Sequence, residues 1–179
     1  APGSFASGYH LTADLVDEAI RMIADHSADA AGTPWLTWLA LGACHAPHQA
    51  PAEYLEKYRG RYDQGWDVTR AAWFKKQLEL GIVPPDTQLS ARNPGVPAWD
   101  ELPAEQRALM ARYMECYAGL VSNVDQNVGR LLAMLEKTGQ LDNTLIMITS
   151  DNGANSIGGP TGVMNLQDRR QGFAEDPAL

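Results

Sequence analysis

Cysteine, basic charge and long apolar runs are all scarce in this sequence, and each shortage removes a class of function. Cys44 and Cys116 are its two thiols. Two cannot make a disulfide framework, and neither stands at a Cys-x-x-Cys or Cys/His spacing that would bind zinc. Lysine and arginine number 14 against 22 aspartates and glutamates, for a formal charge of −8. That balance opposes binding to nucleic acid, as does the lack of any basic cluster interleaved with aromatics. No apolar run reaches the roughly 18 residues of a membrane helix; the longest, from Trp35 to Cys44, is interrupted by Thr37 and Gly42. A soluble chain with neither nucleic-acid nor membrane partners is expected. No basic-then-apolar leader opens the sequence, whose first residue is Ala1 rather than Met. With the tail stopping at Asp176-Pro-Ala-Leu179, this suits an excised or processed segment, although removal of an initiator would also explain the start.

What is present fits one domain. A chain of 179 residues with 45% apolar and 20% charged side chains can bury a real core. Leu15, Val16, Ala19, Ile20 and Ile23 recur at helical spacing behind Thr12, which predicts an amphipathic helix over about 12–27 capped by that threonine. Trp35–Ala43 is a short apolar run bounded by turn residues and reads as a buried strand. Pro47 and Pro51 force a loop at its end. Short helices are predicted over about 52–59 and 67–80. Pro84, Pro85, Pro94, Pro97 and Pro103 then make 81–103 an irregular surface excursion. Leu109, Tyr113, Tyr117, Leu120, Val124, Val128, Leu131 and Leu135 step by threes and fours towards Gly139 and predict one long helix, about 104–137. Leu145–Thr149, apolar and partly β-branched, reads as a second strand. The alternation predicts an α/β fold, with ligands gathered outside the carboxyl ends of a mainly parallel sheet.

Chemistry is therefore sought at the two strand ends. Asp151, Asn152 and Gly153 follow the second strand; a carboxylate and an amide oxygen suit a hard cation such as Ca²⁺ or Mg²⁺, but the same three residues are what a plain turn prefers. His48, between prolines at the end of the first strand, has the chemistry to bind an anionic oxygen or donate a proton, and His45 competes for that role. His10 and His26, in or beside the first helix, read as solvated. Cys44 beside His45 has the composition of a nucleophile and base, yet neighbours on an extended chain point apart, which favours an inert buried thiol. Asp125 reads as a solvated helix charge. Trp66, Trp73, Phe74 and Trp99 read as packing for the excursion rather than a substrate entrance.

Ala46–Pro51, Tyr62–Asp67, Leu78–Pro85, the Gly129-Arg-Leu-Leu end of the long helix and Leu141–Gly153 together resemble the arylsulfatase family of the alkaline phosphatase superfamily, from about Tyr9 to Asn165. The resemblance implies a layered αβα sandwich and hydrolysis of small-molecule sulfate esters. It implies a formylglycine nucleophile made from a Cys/Ser-x-Pro-x-Arg motif, and a Ca²⁺ ion, with Mg²⁺ as the alternative, neutralising the sulfate oxygens. Asp151 and Asn152 match two of the family's metal ligands, and His48 matches a histidine that contacts the sulfate or the leaving-group oxygen.

The departures bear equally on function. Neither Cys44-His-Ala-Pro-His nor Cys116-Tyr-Ala-Gly-Leu matches the nucleophile motif, and no serine does. The family's amino-terminal pair of aspartates has no counterpart either. Residues 1–179 are accordingly read as one segment of a sulfatase catalytic domain, without the nucleophile region or the C-terminal part, inactive alone. Its expected partner is the remainder of the domain, and its exposed sheet edges predict self-association. A phosphoesterase or phosphonate hydrolase of the same superfamily, and a non-catalytic module that kept the fold, are the alternatives.

Overall fold

The computed structural model describes residues 8–153 together with 158–159, 162–163 and 170–172. Four α-helices organise it: α1 (Leu11–Asp29), α2 (Ala52–Glu56), α3 (Gly65–Glu79) and α4 (Ala104–Lys137). Single 3₁₀ turns lie at Trp99–Glu101 and Leu141–Asn143. α4 is the spine, with α1, α2 and the Leu141–Asn143 turn packed along it, while the Trp99–Glu101 turn packs on α3.

α1 docks through the apolar stripe visible in the sequence. Val16, Ala19 and Ile23 are buried, as is Leu135 of α4. Asp17 pairs with Arg130 at the margin of the contact, and Gln140 Oε1 accepts the indole N–H of Trp35 at 3.2 Å. One expectation changes here. The residue that caps α1 is His10, in extended backbone, and its side chain makes no capping bond. Thr12 is instead buried inside the first turn.

α2 and α4 approach closely because Gly119 has no side chain. A Cβ there would lie 3.1 Å from Leu55 Cδ2 and 3.3 Å from the Tyr54 carbonyl carbon. Ala50, Tyr54 and Leu120 form the small core beneath this contact, with Ala43, Cys44 and Leu55 at its edge. Hydrogen bonds from Tyr54 Oη to Gln126 (2.9 Å) and between Tyr58 Oη and Ser122 Oγ (2.5 Å) fix the rotation of one helix against the other. The proline-rich excursion is irregular except for its 3₁₀ turn, as expected. It returns to α3 through Trp99, which sits edge-on to Trp66 at 4.9 Å, so these tryptophans pack the excursion.

The two segments read as strands lie outside any helix, and no strand is formed among the described residues. Leu36 and Trp38 in the first, and Leu145 and Ile148 in the second, are mostly exposed. The physical reason lies in what strand propensity measures: a fit to a pleated, half-buried surface beside another strand. The four helices provide no such surface for these segments, so the expected parallel sheet is absent from the described residues.

Candidate functional site

The segment after the first extended run places His48 with care. Gln49 N–H donates to the Pro47 carbonyl at 2.9 Å, which makes His48 the centre of a three-residue turn. Ala50, two residues on, is buried against Tyr54 and Leu120 and ties the turn to α2 and α4. The imidazole of His48 is half-buried and meets the ring of Tyr117 edge-on, with centroids 5.6 Å apart and planes at 88°. His45, the competitor, is exposed and its Nδ1 lies 2.6 Å from the Ala46 carbonyl, so its ring is engaged within its own loop.

Tyr117 was expected in the buried stripe of α4, yet it is 40% exposed. Its ring stands between His48 and a shallow apolar hollow of about 240 Å³ lined by Tyr58, Tyr62, Trp73, Met114, Tyr117 and Val121 among others. Burial, and then the nearby Cys44, push the Tyr117 hydroxyl above its ordinary value. Burial raises the Cys44 thiol as well, keeping it protonated at neutral pH, which fits an inert thiol and not a nucleophile. Cys116 is buried and raised for the same first reason.

Asp151 and Asn152 lie on an exposed turn after the second extended run. They bond mainly to their own loop: Asn152 N–H donates to Asp151 Oδ1 at 3.0 Å, Asn152 Nδ2 to the Gly153 carbonyl at 2.6 Å, and Ser150 Oγ to the Asn152 carbonyl at 2.5 Å. That is the hydrogen bonding of a turn. Among the described residues no three His, Cys, Asp or Glu side chains stand close enough to hold a metal ion. One carboxylate and one amide fall well short of the roughly six to eight oxygens of a Ca²⁺ shell. These residues alone therefore do not fit a resident cation. Asp125 is exposed, in line with a solvated helix charge.

Two histidines read as solvated are partly buried and hydrogen-bonded. His10 Nε2 lies 2.8 Å from the Gln49 carbonyl, and His26 Nε2 lies 3.1 Å from that of Thr33. Both rings are half-buried. Nothing local in the sequence marks His10, because its partner Gln49 lies 39 residues away.

The family model described as Sulfatase matches residues 2–175. An uncharacterized sulfatase of Schizosaccharomyces pombe is 41% identical over 121 residues, covering 67% of this chain and 22% of that protein. An arylsulfatase of Klebsiella aerogenes is 36% identical over 126 residues, covering 70% of this chain and 27% of its own. An N-acetylglucosamine-6-O-sulfatase of Bacteroides thetaiotaomicron is 57% identical over 42 residues, 24% of this chain and 8% of that protein. The chain thus spans about a quarter of the length of the first two of these relatives. With a match running almost from end to end and relatives named as sulfatases, the chain belongs to the Sulfatase family.

Proposed function

We propose that this chain is the His48-bearing part of a hydrolase that cleaves sulfate monoesters. Membership in the Sulfatase family supports hydrolysis of sulfuric esters in general terms, and implies an alkaline phosphatase-like α/β fold. What carries the finer reading is the treatment of His48: a half-buried imidazole, central to a tight turn and backed by an aromatic ring. A histidine so restrained suits proton donation to the oxygen that departs when the sulfur–oxygen ester bond breaks.

In this reading the nucleophile comes from outside these 179 residues, as a formylglycine whose hydrated form supplies the attacking oxygen. A divalent cation, Ca²⁺ or Mg²⁺, draws only part of its shell from Asp151 and Asn152. The segments at 35–43 and 145–149 pair within a parallel sheet completed by the rest of the domain. Their carboxyl ends then share one edge, so that His48 and Asp151 face the same substrate. The exposure of Leu36, Trp38, Leu145 and Ile148 supports this, since each lacks the covering that such a sheet provides.

The test is turnover by the full-length protein of an aryl sulfate against the aryl phosphate with the same phenol. A preference of at least a hundredfold for sulfate in kcat/KM is expected. A preference for phosphate would transfer the reading to a phosphoesterase, and no turnover of either would favour a non-catalytic module.

A further inference from the structure

His10 lies 39 residues before Gln49 and on another element, yet its ring reaches the backbone beside His48. As the residue that opens α1 it has a helix end to cap and does not cap it. The ring is spent on the loop instead. Gln49 is thereby held at both of its backbone polar groups: its N–H by Pro47 and its carbonyl by His10. A carbonyl only accepts, so Nε2 must carry the proton. Nδ1 is buried with no hydrogen-bond partner among the described residues. The neutral Nε2–H tautomer leaves only a lone pair there, which costs less than burying an unpaired N–H. The site thus selects one tautomer of the ring.

From this geometry we infer that His10 is a positioning residue: through the Gln49 carbonyl it sets the angle at which the His48 turn presents its imidazole. The inference rests on the reading of His48 as a reacting group. α1 is itself docked on α4, and α4 carries Tyr117, the other contact of the His48 ring. His10 and Tyr117 consequently hold the turn from the same rigid helix pair, one by the backbone and one by the ring. Catalytic geometry is sensitive to displacements of an ångström or less, so the loss of one restraint should register in the chemical step before it registers in binding.

The experiment compares His10→Leu, His10→Gln and His48→Ala in the full-length protein, with kcat and KM on an aryl sulfate and the thermal midpoint of each. Leucine removes the donor; glutamine places an amide N–H near the position of Nε2. The expected result is a kcat lowered tenfold or more in His10→Leu with KM within twofold, recovery to within threefold of wild type in His10→Gln, and closely similar midpoints for the two. Wild-type kcat in His10→Leu would overturn the inference. So would equal losses in both variants that follow their thermal midpoints, the signature of a purely structural residue. Undiminished activity in His48→Ala would overturn the reading of His48 itself, and the role of His10 with it.

Discussion

Glu115 shows how little of the polar chemistry in this chain is visible before folding. It stands on α4, is 6% exposed, and accepts the Gly60 N–H at 2.7 Å while pairing with Arg112 at 2.9 Å. Deleting its carboxylate takes the anion away from a guanidinium that is itself 13% exposed. Glu115→Ala is predicted to cost about 1–3 kcal/mol, the usual penalty for leaving a buried donor such as the Gly60 N–H without its acceptor, and Glu115→Gln distinctly less because an acceptor for Gly60 survives. Urea denaturation measures both; a loss under about 1 kcal/mol in Glu115→Ala would mean that the pair is solvated. The constrained turn at His48 was legible in the sequence because prolines on both sides announce it. The contacts that His10 and Tyr117 make with this turn were not, because each joins residues 39 or more positions apart. Tyr117 even obeys the helical period of a core residue, and only packing shows that it stands at the margin of the core.

At the level of elements, the tie between α3 and the proline-rich excursion makes the sharpest claims. Gly65 opens α3 at φ +80°, and a Cβ there would lie 2.1 Å from the ring of the buried Trp99. Gly65→Ala combines an unfavourable backbone with an overpacked core and should cost about 2–4 kcal/mol in a denaturant titration; a neutral result would mean that Trp99 does not pack there. Asp67 accepts the Trp99 N–H at 3.0 Å and Arg92 Nε at 2.9 Å. These two contacts, the backbone bond first, hold its carboxyl below the usual carboxylate value. A folded-state value below the unfolded one stabilises the protein above the ordinary 3.8, and that contribution fades as the pH falls through the depressed value. Because Asp67 is more than a third exposed, Asp67→Asn should cost only about 1 kcal/mol near neutrality. The difference from wild type should shrink in strongly acidic solution; a gap that does not narrow would contradict the assignment. Helices were legible at this scale because their period is written in consecutive residues, whereas strand pairing depends on neighbours that no local pattern specifies.

For the whole molecule, the central issue is a family membership that extends over nearly the entire chain but only about a quarter of its relatives' length. Two apolar segments with strongly exposed side chains, 35–43 and 145–149, make an unprotected surface. The isolated chain is therefore predicted to self-associate at micromolar concentration in size-exclusion chromatography with light scattering; a clean monomer would count against unpaired strands. Calorimetry with Ca²⁺ on the same chain should give no tight binding, since one carboxylate and one amide make only a partial shell. Submicromolar binding abolished by Asp151→Ala would contradict that and reveal a site completed within these residues. Most direct is the dependence of rate on leaving group in the full-length protein and its His48→Ala variant. If His48 protonates the departing oxygen, the variant should lose at least about a hundredfold in kcat on phenyl sulfate. It should lose far less on 4-nitrophenyl sulfate, whose phenolate needs little help to leave. Equal, small losses on both esters would contradict the role given to His48.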